Sequence, residues 1–433
     1  MTAPAPTTPP AQPPRQPLMA LDQALASLLA TAQPLADAES VNTFDADGRV
    51  LAQSLVSALH VPPQDNSSMD GYAVRCADLA GASAAQPVAL PVAQRIAAGH
   101  SGQPLQPGTV ARIFTGAPVP AGADAIVMQE DVVVSTGADS QALASFSACP
   151  TSGTWIRRAG EDVTRGAEVL HPGTRLGPAE LGLAASLGLA TLQVCRRPRV
   201  ALFSTGDELV MPGTVPPDAM PPGAIYNSNR FFLRALLQRL GCEVSDLGIV
   251  PDNRAATIDA LGQAAQTHDL ILTSGGVSVG EEDHIKPAVE HLGGLDLWQI
   301  AMKPGKPFAH GHIRRDTPHS LAHFIGLPGN PVSSFMTFVL LVRPFLLRLQ
   351  GVADVACAAQ TLPAHFVVTK ADKRREFLRA RRNAAGGLDL FGNQSSAVLT
   401  SAVWGDGVVD LPAGTTVAHG DAVRFLAFAD LLA

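Results

Sequence analysis

Cysteine is scarce in this chain of 433 residues, which has five in all. They stand at Cys76, Cys149, Cys195, Cys242 and Cys357, an odd number without a C-x-x-C pair. That pattern excludes a disulfide framework and a thiolate zinc site, and the thiols are expected to be reduced. Charged residues are only 16% and aromatic ones 5%, against 46% hydrophobic, which excludes general disorder. No uncharged apolar run reaches the roughly 18 residues that cross a bilayer. The start lacks the basic segment and apolar block of a signal peptide. A cytoplasmic protein without membrane contact is expected. A formal net charge of -7 opposes non-specific attachment to nucleic acid. The one local basic cluster is "KRREFLRARR" at 373–382.

The length predicts three or four units of roughly 100 to 200 residues each. Residues 1–16 are almost wholly Pro, Ala, Thr and Gln, the composition of a disordered tail. Leu21, Ala24, Leu25, Leu28 and Leu29 fall on one helix face. Residues 61–157 change to short Val/Ile/Ala runs cut by Gly and Pro, an inserted mostly-β domain. The helical pattern returns in "PAELGLAASLGLA", so 17–60 plus 158–190 are expected to form a small, discontinuous, helical N-terminal domain whose helices pack across the insertion. From Arg199 the pattern is "RVALFS", "NRFFLRALLQRLG", "EVSDLGIV", "DNRAATIDALGQAA" and "DLILTSGG". That alternation predicts an α/β domain over 191–350 with a mostly parallel sheet. Its first helix presents Phe232, Leu233, Leu236, Leu237 and Leu240 inward and ends at Gly241. Residues 351–433 revert to short alternating runs, a C-terminal β-barrel-like domain. The fold class is thus multidomain α/β.

In open α/β sheets ligands sit beyond the carboxyl ends of the strands. After "RVALFS" come Thr205, Gly206, Asp207 and Glu208. After "LILT" come Ser274, Gly275, Gly276, Ser278, Gly280, Glu281, Glu282 and Asp283. The glycines let backbone N–H groups approach a phosphate, and Asp207, Glu208, Glu282 and Asp283 supply oxygen ligands suited to Mg²⁺. A metal reconciles the anion with the carboxylates. Asp283 taken alone has a second reading, as the cap of the helix "HIKPAVEHL".

Lys303 and Lys306 lie in "AMKPGKPFAHG", where Pro304 and Pro307 restrict the backbone beside each ammonium; the pair suits a doubly charged anion. "GLPGNPVSSFMTF" predicts a turn at Gly329 and a helix with Asn330 as N-cap and Pro331 at its first position. Ser333 and Ser334 in its first turn make an anion site, the alternative being a capped helix and nothing more. In 373–382 strand alternation puts Arg375, Phe377, Arg379 and Arg381 on one face, either a solvated surface or an oxyanion-binding one. His310 and His312 share a strand face without a third metal ligand nearby in sequence. "DNSSMDGYA" on its own reads as a polar turn.

Together these motifs resemble a known family. "DNSSMDGYA", "RIFTGAPVPAGAD", "IRRAGEDV", "LFSTGDEL", "TSGGVSVGEEDHIK", "MKPGKPFAHG" and "GLPGNPVSSF" are similar, in this order, to motifs of the molybdopterin molybdenumtransferases, the bacterial MoeA proteins and the gephyrin E domain. The resemblance implies a MogA-like central domain and an elongated homodimer with shared active sites. It also implies Mg²⁺ as cofactor, molybdate and adenylylated molybdopterin as substrates, and molybdenum cofactor and AMP as products. Contacts with the molybdopterin adenylyltransferase and with molybdoenzyme maturation proteins are further implications.

Carried over by motif, the catalytic set is Glu208, Asp283, Asp70, Asp252 and Lys303, with Glu208 and Asp283 at the metal. Thr115, Asp162, Gly275, Gly276, Ser278, Lys306, Ser333, Arg379 and Ser396 would bind substrate. Gln299 stands where some relatives carry a lysine, which weakens the cationic site there. Two rival readings are a molybdopterin adenylyltransferase-like activity, which the units outside the α/β domain disfavour, and a non-catalytic scaffold.

Overall fold

The computed structural model describes residues 18–137, 139–276 and 284–432. Its centre is a six-stranded sheet made of β1 (Arg199–Thr205), β2 (Glu243–Val250), β3 (Leu270–Ser274), β4 (Gly293–Gln299), β5 (Pro307–Arg314) and β6 (Leu321–Leu327). The spatial order is β2-β1-β3-β6-β5-β4. The first four are parallel, and β5 and β4 close one edge antiparallel.

Alternation along each parallel strand decides which layer a residue joins. Val200, Leu202, Leu270 and Leu272 point into a core shared with the helices Asn229–Arg239 and Pro331–Thr337. Ala201, Phe203 and Ile271 point into a second core beneath the helices Arg254–Thr267 and Ile285–Leu292. Burial on both faces is why these strands read as near-continuous apolar runs. The helix Asn229–Arg239 ends as its sequence predicts. Gly241 N–H donates to Gln238 O at 3.0 Å and Cys242 N–H to Leu237 O at 3.0 Å, the paired bonds of a glycine-terminated helix.

Three other units surround this one. Residues 61–157 carry a six-stranded sheet in the order Ala125–Met128, Gly71–Val74, Val110–Ile113, Val88–Ile96, Ala142–Phe146, Val132–Thr136. The chain on either side of it closes through strands where helix packing was expected. Ala38–Asn42 pairs antiparallel with Thr191–Cys195, and Leu55–Val56 with Glu168–Leu170. Of the helices expected to pack there, only Pro178–Ser186 joins that core.

The helix Leu21–Thr31 goes elsewhere. It buries Leu21, Ala24 and Leu28 against the central α/β core, because Met19 is anchored by backbone bonds to Gln299 and Ala301 beside β4. The C-terminal sheet runs Met302–Lys303, Arg375–Arg382, Gly407–Leu411, Ala422–Ala427, Gln360–Pro363, with Leu388–Leu390 beside Arg375–Arg382. Its first strand is thus lent by the α/β unit.

The helical run Pro331–Leu349 is long and apolar enough to cross a membrane by length and composition, and 89% of it is buried within the protein. A π-helical turn at Phe338–Val342 precedes Pro344, whose missing N–H cannot donate to the preceding turn. All five cysteines are free thiols.

His310 on β5 and His323 on β6 stack at 6.1 Å between centroids, with Phe345 edge-on to both. Burial pushes both imidazoles down from 6.5 to about 4. The unfolded chain takes up these protons below about pH 6.5, and the folded chain only near pH 4. Folding stability from this pair is therefore complete above pH 6.5 and falls as the pH drops toward 4. The loss amounts to roughly 3 kcal/mol per imidazole at most. His310→Gln is expected to flatten the decline in urea-unfolding free energy across that window; an unchanged pH slope would contradict the assignment.

Candidate active site

The parallel strands end on one rim. Beyond β1, the Glu208 side chain folds back over Gly206: a Cβ added to Gly206 would lie 2.5 Å from Glu208 Oε2. Beyond β3, Gly275 and Gly276 have φ of +94° and +68°, which turns the backbone sharply off the strand. A Cβ on Gly275 would lie 3.0 Å from Thr205 O, and one on Gly276 3.1 Å from Thr205 Oγ1. The ends of β1 and β3, marked in the sequence by Thr205 and by Gly275 and Gly276, are therefore brought together. Ser278, Gly280, Glu281, Glu282 and Asp283 lie outside the described residues, so the pairing of Glu208 with Asp283 is not among the contacts observed.

Asp252 lies just past β2 and is engaged by an interaction of its own. The cap of the helix that follows is Asn253, whose Oδ1 accepts from Ala256 N–H at 2.9 Å. Several polar groups toward this rim are buried without a partner among the described residues: Ser204 Oγ, Thr273 Oγ1 and Asn227 Nδ2. Burying a polar group unpaired costs about 1–3 kcal/mol, so such clusters mark ligand sites. Glu208 is exposed and, among the described residues, has no cationic partner, so its carboxylate is open to a hard cation. Among the described residues no group of three or more His, Cys, Asp and Glu side chains gathers around a metal position.

Sequence reading missed Asn229. Its Nδ2 donates to Ser274 Oγ at 2.8 Å and to Gly329 O at 2.7 Å, tying the end of β3 to the loop before the helix Pro331–Thr337. The available signal was "YNSN", two asparagines at the mouth of a helix that follows a strand.

That loop leads into a seam between the α/β unit and the C-terminal sheet. Asn330 occupies the N-cap position, yet its side chain makes no capping bond. Val332 N–H donates instead to Ser396 O at 2.9 Å, so the C-terminal unit terminates this helix from outside. Ser333 is buried in the first turn, and among the described residues Ser334 Oγ and Thr337 Oγ1 are buried without partners. The Lys303–Lys306 turn presses on the same helix. Gly305 has φ +110°, and a Cβ there would lie 2.6 Å from Thr337 Oγ1 and 3.4 Å from Ser333 O.

The two lysines of the turn part company. Lys303 Nζ pairs with Glu376 Oε1 at 2.7 Å and Asp372 Oδ2 at 3.3 Å. Those contacts, that with Glu376 foremost, raise its pKa, and its charge is spent on the C-terminal unit. Lys306 is exposed and has no ion pair among the described residues.

Arg379 completes the seam. It is 1% exposed, and its guanidinium donates to Ser401 Oγ at 3.1 Å, Phe377 O at 3.0 Å and Ser395 O at 3.4 Å. Among the described residues no carboxylate faces it, and burial lowers its pKa to about 10. It remains cationic at neutral pH, a buried charge held by neutral acceptors. Its neighbours in the basic cluster have other partners: Arg375 bonds Asp410 at 2.6 Å, and Arg381 lies over Trp404 at 4.5 Å.

In the inserted unit, Asp70 Oδ1 accepts from Thr115 N–H and Thr115 Oγ1, each at 2.8 Å. Those bonds, the backbone one foremost, lower the Asp70 pKa. Asp162 is exposed. Among the described residues, no hydrogen bond or ion pair links residues 61–157 to residues 191–432.

A mostly parallel sheet with glycine turns at its carboxyl ends, preceded in the chain by a β unit and followed by a C-terminal sheet, defines a multidomain α/β protein. Comparison with known proteins gives the family. Residues 19–188 match the MoeA N-terminal region (domain I and II), residues 201–348 a "probable molybdopterin binding domain" and residues 361–428 the MoeA C-terminal region (domain IV). The chain is 43% identical over 335 residues to a molybdopterin molybdenumtransferase of Haemophilus influenzae, covering 77% of this chain and 78% of that one. It is 40% identical over 381 residues to molybdopterin molybdenumtransferase 2 of Mycobacterium tuberculosis, covering 86% and 90%. A solved molybdopterin biosynthesis moeA protein from Pyrococcus horikoshii superposes with a TM-score of 0.80 at 26% identity, covering 95% of this chain and 100% of that chain. The chain belongs to the molybdopterin molybdenumtransferase family.

If Arg379 waits for an oxyanion, molybdate should raise the melting temperature of the wild-type protein by about 5 °C at saturating concentration. Arg379→Leu should fold with near-normal stability, since it removes an unpaired buried charge, and should lose that rise. Equal molybdate-dependent rises in both proteins would exclude Arg379 from the site.

Proposed function

We infer that this chain is a molybdopterin molybdenumtransferase, which inserts molybdate into adenylylated molybdopterin and releases AMP. The observation that carries the reading is the buried Arg379 guanidinium, which among the described residues faces no carboxylate and donates to Ser395 O, next in sequence to the Ser396 whose O accepts from Val332 N–H. The sheet rim supports the nucleotide half. Turns at Gly275 and Gly276 present backbone next to Thr205, and the unpartnered Ser204, Thr273 and Asn227 groups are available to phosphate or ribose oxygens. Asn229 holds the two halves in fixed relation, so the anion and the pterin nucleotide meet without a search.

The residues present fit Mg²⁺, a hard ion that prefers oxygen donors: Glu208 is exposed and has no ion pair among the described residues, and Asp283 is the second candidate ligand. When bound there, Mg²⁺ supplies charge neutralisation for the pyrophosphate. Arg379 and Lys306 hold the oxyanion, Ser333 donates to it, and Lys303, neutralised by Glu376 and Asp372, fixes the turn that presents Lys306. This reading places the enzyme in the cytoplasm, consistent with five reduced thiols.

We further propose that the enzyme is a homodimer with shared active sites. The Asp70–Thr115 pair sits on a unit, 61–157, that among the described residues has no hydrogen bond or ion pair to 191–432, so a second copy is a natural recipient, with Asp162 at the exit of that unit. Contacts with the molybdopterin adenylyltransferase and with maturation proteins of recipient enzymes follow from the same reading.

Two measurements test these statements. Glu208→Gln should lower AMP release from adenylylated molybdopterin, in the presence of molybdate and Mg²⁺, by at least about 100-fold with an unchanged melting curve. A rate within threefold of wild type would remove Glu208 from the mechanism. Co-expression of Asp70→Asn with Glu208→Gln should restore about a quarter of wild-type activity if sites are shared, because half the dimers are mixed and each mixed dimer has one intact site. No restoration would place both residues in sites formed within one chain.

A further inference from the structure

Trp155 has an unusual backbone for its side chain. Its φ is +56°, a left-handed conformation that bulky side chains avoid. The conformation is imposed by neighbours: Trp155 O accepts from Ser68 N–H and from Ser68 Oγ, both at 2.9 Å, and Ile156 pairs with Ser67. None of these bonds needs an aromatic side chain, and glycine or asparagine would satisfy the same φ without strain. The indole nevertheless remains 43% exposed. Strain kept at an exposed aromatic points to a use for the ring.

The indole walls a cavity of about 330 Å³, together with Val127, Met128, Phe146, Pro150 and Asp131. Through Met128 the cavity adjoins the strand that follows Asp70. Met128 pairs with Gly71, and Gln129 N–H donates to Asp70 O at 3.0 Å. Asp131 is exposed and has no ion-pair partner among the described residues.

A flat fused ring suits such a volume and stacks on indole. The carboxylate discriminates between flat rings. The pyrimidine edge of a pterin presents an amino group and an adjacent ring N–H, two donors that match the two oxygens of one carboxylate. The corresponding edge of adenine alternates donor and acceptor and leaves one carboxylate oxygen unmatched.

We propose that Trp155 and Asp131 form a pterin-ring pocket on the inserted unit, with Trp155 as the stacking platform and Asp131 as acceptor of the amino edge. The assignment rests on the functional reading above in taking a pterin as the ring's source. It assigns ring recognition to the inserted unit and leaves phosphate and oxyanion to the α/β rim and seam.

The test is equilibrium dialysis of the full-length protein against 6-hydroxymethylpterin, with adenosine in parallel. Wild type should bind the pterin in preference to adenosine. Trp155→Ala should weaken pterin binding about tenfold or more, and Trp155→Phe should keep most of it. Asp131→Asn should weaken the pterin selectively. Trp155→Asn carries the sharpest signature: it should lose affinity as the alanine variant does while melting at a higher temperature, because the left-handed strain is relieved. Absence of pterin binding by wild type, equal binding by Trp155→Ala, or a Trp155→Asn protein that melts lower with affinity unchanged would each overturn the pocket. AMP release, run alongside, separates the two readings. Trp155-dependent pterin binding without any AMP release would overturn the transferase reading and leave the pocket standing. AMP release with the same KM in wild type and Trp155→Ala would overturn the pocket and leave the transferase standing.

Discussion

The docking of the C-terminal sheet onto the α/β unit is the constraint on which the rest depends. It is made by backbone first: Met302–Lys303 joins the C-terminal sheet as a parallel strand beside Arg375 and Glu376, and Val332 N–H is capped by Ser396 O. Side chains then lock it, through Lys303 to Glu376 and Asp372. Each of these groups would cost free energy if buried without its partner. The seam is therefore specific in register, and this register sets Ser396, next to Arg379's acceptor Ser395, against the helix carrying Ser333.

A buried guanidinium without a counter-ion would ordinarily be replaced by an apolar side chain, because its desolvation is not offset. Keeping Arg379 while providing it only neutral acceptors makes sense if the missing charge arrives with a ligand. The nearby Ser334 and Thr337 hydroxyls, also unpartnered, argue in the same direction. Lys303 contrasts with it: its two carboxylates make it part of the frame, and only Lys306 beyond Gly305 is left exposed. Asn229 then couples this seam to the sheet rim through a single amide, so neither half of the site moves without the other.

Much of this was legible in the sequence, for identifiable reasons. The α/β unit announced itself because strands buried on both faces and amphipathic helices leave strong periodic signals, and the end of the helix Asn229–Arg239 could be read from Gly241 alone. The glycine and carboxylate pattern at the strand ends was local, so its position on the rim followed from the topology. What failed to show was long-range. Lys303 looked available because its carboxylates lie about 70 residues onward, and Asn330 looked like a cap because the competing acceptor, Ser396, belongs to another unit. The face of the helix Leu21–Thr31 was evident, but a face does not name its partner, and here the partner is the central core. Asn229 was hidden inside what read simply as the start of a helix.

The most direct test of the account is a crystal of the protein soaked in tungstate, an isostere of molybdate whose anomalous scattering locates it without assumptions. The account predicts one dominant peak at the seam, within hydrogen-bonding reach of the Arg379 guanidinium and the Ser333 hydroxyl and adjacent to the Lys306 turn. A dominant peak elsewhere, with Arg379 still bonded only to Ser401, Phe377 and Ser395, would contradict it.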